Sequence, residues 1–127
     1  QGVFKAARRI GDPVAAGAVI YAGAMVVIDA AGNAAPGSTA TGLRARGVAQ
    51  EQVDNSGGLA GAVKVESRRG VFAFGNSAVA DAITRADIGN VAYIVDDQTV
   101  AKTDGTGTRS AAGTIRDLDD AGVWVEI

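Results

Sequence analysis

The chain has 127 residues, 47% of them hydrophobic and 20% charged, with 18 glycines, one methionine, one tryptophan and neither histidine nor cysteine. That is room for one core of ordinary size, and the missing residues exclude Ser-His-Asp and Cys-His nucleophile pairs, thiolate chemistry, the usual tetrahedral zinc site and an imidazole base. A formal net charge of −2 provides no overall field to attract nucleic acid, and the longest apolar stretch, residues 15–28, is too short and too glycine-interrupted to cross a membrane.

Residue 1 is Gln, so an initiator or short N-terminal piece is expected before it, and the start carries no signal-peptide pattern. Lys5, Arg8 and Arg9 crowd the first ten positions, ahead of the boundary signal Gly11-Asp12-Pro13. Residues 1–14 therefore form an expected N-terminal arm, and residues 15–127 one β domain. The arm is a solvated tail or a contact with acidic groups of a neighbouring protein.

The run at 18–28 (AVIYAGAMVVI) is β-branched and apolar with Gly23 inside it, which predicts one kinked strand or two strands meeting at a bend. Residues 29–33 (DAAGN) supply turn chemistry. Residues 34–42 (AAPGSTATG) suggest an exposed loop, leading into a half-buried strand at 43–53, where small or apolar residues alternate with Arg44, Arg46, Gln50 and Gln52.

After a turn at 54–58 (DNSGG) comes the longest strand candidate, 62–74 (AVKVESRRGVFAF). Its phase changes midway, because Val63 and Val65 share one face whereas Phe72 and Phe74 fall on the opposite parity. A strict period of two cannot place both pairs in one core, so a β-bulge or strand-switching corner is expected near Arg69-Gly70. Residues 78–89 alone lean towards helix, with Thr84 and Asp87 spaced to cap a single turn. Strands at 90–96 and 99–102, a glycine-rich loop at 103–112 and a hairpin joining 113–118 to 122–127 complete the chain. The expectation is an all-β sandwich or barrel, jelly-roll-like, of about seven to eight short strands with at most one short helix.

Candidate chemistry is thin. Asp117, Asp119 and Gly122 imitate a calcium loop, but Ala121 occupies the fifth position and the twelfth lies beyond Ile127. Gly105-Thr-Gly107-Thr-Arg109-Ser110 lacks the spacing of a phosphate loop and the helix that should follow. Paired acids such as Asp96-Asp97 with Asp104, or Glu51 with Asp54, would suit a glycosidase only with aromatic platforms that this chain lacks. Arg68 and Arg69 belong to the bulge or to a second basic contact. Trp124, alternating with Val123 and Val125, suggests a core-edge or interface anchor. No cofactor or metal is expected.

Residues 36–42 (PGSTATG), 69–74 (RGVFAF), 87–97 (DIGNVAYIVDD) and 120–127 (DAGVWVEI) resemble the head decoration, or capsid cement, proteins of tailed bacteriophages and prophages. The resemblance runs from the strand at 21–27 to the last residue. It implies a non-enzymatic virion protein made in the bacterial cytoplasm and placed on the outer surface of the capsid. There it would bind the major capsid protein and copies of itself, as a dimer or trimer, with no direct nucleic-acid or membrane partner. On that reading Lys5, Arg8, Arg9 and Trp124 are the candidate capsid or subunit contacts. A carbohydrate-binding or adhesive β-module is the alternative, disfavoured by the scarcity of Trp and Tyr, and a small carboxylate enzyme is a third class.

Overall fold

Gly23, at φ +82°, closes a tight turn in which the Ala24 N–H donates to the Tyr21 carbonyl at 3.1 Å. Glycine takes that left-handed geometry without strain, and the turn cuts the apolar run in two. The computed structural model describes residues 9–127, with β2 (Val19–Ile20) before this turn and β3 (Met25–Ile28) after it.

Such punctuation multiplies the strands. To these are added β1 (Arg9–Pro13), β4 (Ala34–Pro36), β5 (Arg44–Ala49), β6 (Val53–Asp54), β7 (Lys64–Arg68), β8 (Val71–Asn76), β9 (Val91–Ile94), β10 (Thr99–Ala101), β11 (Ala111–Asp119) and β12 (Gly122–Glu126). The all-β expectation holds, but the described residues form twelve strands rather than seven or eight. Two of the extra strands come from splitting the runs at 18–28 and 62–74, and β6 splits off from the end of the run at 43–53. Residues 34–36, expected in a loop, instead form β4 against β3, with Pro36 at its end on the sheet edge, where its missing N–H costs no ladder bond.

Two larger arrangements carry ten of the twelve described strands, and β2 and β6 pair separately. A five-stranded sheet runs in the order β1-β7-β5-β3-β4, and a closed barrel runs β10-β8-β12-β11-β9. The expected corner at Arg69-Gly70 is where the chain leaves the first for the second, since β7 belongs to the sheet and β8 to the barrel. The change of hydrophobic phase follows directly. Val65 lies in one core with Val14, Ile20, Val26, Ala34, Ala49 and Val53, whereas Phe74, with Phe72 packed alongside, lies in the other.

That second core fills the barrel with Ile94, Val100, Ile115, Val123 and Val125 and also takes Met25, Val27 and Val48 from the sheet. Strand β3 is thus buried on both sides, Val26 facing one core and Met25 and Val27 the other, which explains why it reads as a continuous apolar run instead of an alternating one. The short β2–β6 ribbon contributes Ile20 and Val53 to the smaller core.

The expected arm at 1–14 is corrected over its second half. Residues Arg9–Pro13 pair antiparallel with β7 from Arg9↔Arg68 to Pro13↔Lys64, and Val14 is fully buried. Asp12 explains why the sequence pattern misled: it is a charged residue pointing inward, only 8% exposed. It is held by Arg46, whose Nε and Nη2 donate to its two carboxylate oxygens at 2.9 and 3.0 Å. Arg46 is the extra residue of a β-bulge on β5, between Gly47 opposite Val26 and Ala45 opposite Val27. Among the described residues helix is confined to single 3₁₀ turns at Val79–Asp81 and Arg85–Asp87. The second carries the Thr84–Asp87 capping box that the spacing predicts.

Candidate interaction surface

Antiparallel register places one row of side chains across the outside of the barrel. Val71 on β8 lies opposite Glu126 on β12, Glu126 opposite Thr114 on β11, and Thr114 opposite Val91 on β9. Residues directly opposite share a face, and here the face is solvent: Val71 is 45% and Val91 43% exposed. Between the two valines Arg116 Nε donates to Glu126 Oε1 at 2.7 Å. Ile88, just before β9, is also exposed.

Trp124 belongs to the next row along β12, opposite Ala73 and Asp117, and is half-buried. Its indole nitrogen is buried without a full hydrogen-bond partner, but it lies beside the Asp119 carboxylate. That proximity, ahead of the backbone N–H groups of Ala121 and Gly122, holds Asp119 below the usual carboxylate range. The indole is therefore anchored at one edge, with part of its ring facing out beside the Val71–Val91 row.

The basic candidates lie elsewhere. Lys5 and Arg8 fall outside the described residues. Arg9 is in β1 at the edge of the five-stranded sheet, in register with Arg68, so Arg9 and Trp124 sit in different sheets. Arg68 and Arg69 are exposed, and neither enters an ion pair among the described residues. Lys64, Arg68 and Arg69 thus leave exposed positive charge on β7 and its corner, with Glu66 among them on β7.

The acids of the C-terminal third serve turns and ties. Asp119 Oδ1 accepts the Ala121 N–H at 2.8 Å, and Asp117 Oδ1 accepts the Leu118 N–H and the Arg85 guanidinium. Among the described residues no grouping of three or more acidic side chains is arranged to hold a metal. In the glycine-rich loop the Thr108 and Arg109 N–H groups both donate to the Asp104 carbonyl, which leaves them unavailable to cradle an anion. Asp81 accepts from the Thr103 hydroxyl, which lowers its pKa first, with Arg109 adding to the effect. Asp97 is the exception, since burial and then the adjacent Asp96 charge push its carboxyl up.

No family model, curated protein or solved structure matches the chain.

Sequence reasoning singled out Trp124 by its alternation with two valines and did not single out the exposed Val71, Val91 and Ile88. Their signal is present only once the register is known. Val71 and Val91 share a face with the polar Glu126 and Thr114 of their partner strands, and no single strand shows that they line up.

Proposed function

We propose that this protein is a capsid decoration, or cement, protein: a structural component of the outer surface of a tailed-phage head that binds the major capsid protein and its own copies. The observation that supports this reading best is the outer face of the closed barrel on which exposed Val71 and Val91 flank Glu126 and Thr114, with Ile88 and Trp124 beside them, while the barrel's own core is already complete. Burial of such a face against another protein returns about 25 cal/mol for each Å² removed from water. A barrel with its edges paired offers a rigid platform for static contact. Many weak copies of one contact, repeated over a shell, add up to a large stabilisation without any turnover.

In this reading Trp124 anchors the apolar contact. Lys5, Arg8 and Arg9, with the exposed Arg68 and Arg69, meet acidic groups of the shell or of a neighbouring copy. The test is to mix purified protein with undecorated heads and image them. Ordered density at symmetry axes is the expected result, and absence of binding sinks the proposal. Alanine at Lys5, Arg8 and Arg9 together is expected to weaken head binding and to reduce its salt dependence.

A further inference from the structure

Three charged side chains gather on the side of the five-stranded sheet that faces the smaller core. Arg44 lies opposite Ile28 in the β3–β5 ladder, so the two share a face, and Ile28 packs against that core. Asp12 lies opposite Val65, a member of the same core. Arg46, the extra residue of the β5 bulge, reaches Asp12 from the neighbouring position but one.

The curl of the sheet leaves an opening at this place. Its two edge strands approach each other where Val14 bridges Ala34 in parallel. Two residues before each of these stand Asp12 and Gly32, and both line a pocket of about 350 Å³ whose wall also holds Ile28, Arg44, Ala45 and Arg46. The pocket therefore has an apolar side and a side made by two guanidinium groups.

Its donors outnumber its acceptors. A guanidinium carries five N–H groups, and Arg46 commits two of them, one on Nε and one on Nη2, to the two oxygens of Asp12. The other three have no partner among the described residues, and the Arg46 side chain is 35% exposed. Arg44 is exposed and enters no ion pair among the described residues. Asp12 neutralises one of the two cations, so the pocket keeps a net positive charge. The two-pronged grip of Asp12 also fixes the plane of the Arg46 guanidinium, and its uncommitted edge is held ready for a second acceptor. A bulge is a device for re-aiming a side chain, and this one brings Arg46 into the same pocket as Arg44. For the isolated domain Arg44 adds only like charge to that wall; an anion between the two turns the repulsion into attraction.

We infer that this mouth of the smaller core is a binding site for an oxyanion, a carboxylate or phosphate group held between Arg44 and the uncommitted N–H groups of Arg46. The group belongs either to a free small molecule or to an acidic side chain of a partner protein, which presents the same oxygens to the same donors. The inference is independent of the decoration reading.

The test titrates the purified chain with inorganic phosphate and with a short glutamate peptide blocked at both termini, each against sodium chloride at matched ionic strength, and follows the arginine Nε–H resonances by NMR. Saturable shifts of the Arg44 and Arg46 signals are expected with at least one probe. A response to phosphate alone identifies a free oxyanion, and a response to the peptide identifies an acidic segment of a partner. Arg44→Gln is expected to melt as wild type does and to weaken binding about tenfold or more. Arg44→Lys keeps the charge without the fork and is expected to fall between the two. Neither probe giving a saturable shift beyond the chloride control, shifts confined to other arginines such as Arg68 and Arg69, or an Arg44→Gln variant that binds as wild type does overturns the inference.

Discussion

Removing either partner of the Asp12–Arg46 pair tests whether the edge strand β1 is held by a side-chain tie as well as by its ladder. The pair joins β1 to β5, strands that are not neighbours in the sheet. Two hydrogen bonds between charged groups at 2.9 and 3.0 Å, with the carboxylate side chain only 11% exposed, place it above an ordinary surface ion pair. The Arg46 side chain is 35% exposed, so water screens part of the attraction and rehydrates the guanidinium once Asp12 is gone.

A cost of about 2 kcal/mol for Asp12→Ala is expected, below the ~3–5 kcal/mol of a fully buried broken pair. For a domain of this size that corresponds to a drop in melting temperature of about 8 °C. Arg46→Met keeps the aliphatic stem but leaves the less exposed Asp12 carboxylate without its cation, so it is expected to cost at least as much. Urea unfolding of both single variants and the double variant completes a double-mutant cycle, with an expected coupling of about 1–1.5 kcal/mol. Additive losses, with a coupling below about 0.3 kcal/mol, would refute the tie.

Ser67→Ala is expected to stabilise by about 1 kcal/mol in chemical denaturation, because the fully buried Ser67 hydroxyl has no hydrogen-bond partner and its loss removes an uncompensated polar group. Asp97→Asn should raise the melting temperature at neutral pH. A carboxyl whose folded pKa is raised supports folding fully only below its ordinary pKa and loses that contribution as pH rises through the folded value, so the gain disappears near about pH 3. Asp81, Asp87 and Asp119 behave oppositely, since their folded pKa values are depressed; the stability they contribute is lost as pH falls below the usual carboxylate range, which an acid titration of wild type against Asp87→Asn will reveal. Gly122→Ala is expected to cost at least about 2 kcal/mol, because φ is +131° and a Cβ would run into the Phe74 carbonyl oxygen on the neighbouring strand; a loss under about 0.5 kcal/mol would show that β8 and β12 separate easily.

Local chemistry was legible wherever a few adjacent residues decide the outcome. Glycine inside 18–28, the Asp29 turn, the Thr84–Asp87 box and the β11–β12 hairpin all follow from short-range hydrogen bonding and backbone sterics, and the structure has each of them. Even the passage between the two sheets was visible, because a side-chain period of two cannot change phase without a break in the strand. Composition bounded the available chemistry in the same direct way, since a chain without histidine or cysteine lacks those reactive groups in any fold.

Tertiary structure decided what depends on distant partners. Whether Asp12 is a solvated charge or an inward one turns on Arg46, 34 positions away, and that bond converts part of an expected arm into a sheet strand. Val71 and Val91 become one exposed row only through the β8-β12-β11-β9 register. The loop that carries Val79 is tied down by the Asn76 and Ser77 side chains, which donate to the Ile83 and Val100 carbonyls. A sequence shows which residues are apolar or charged; which of them meet is set by the closing of sheets, where long-range hydrogen bonds and burial outweigh each segment's own preference.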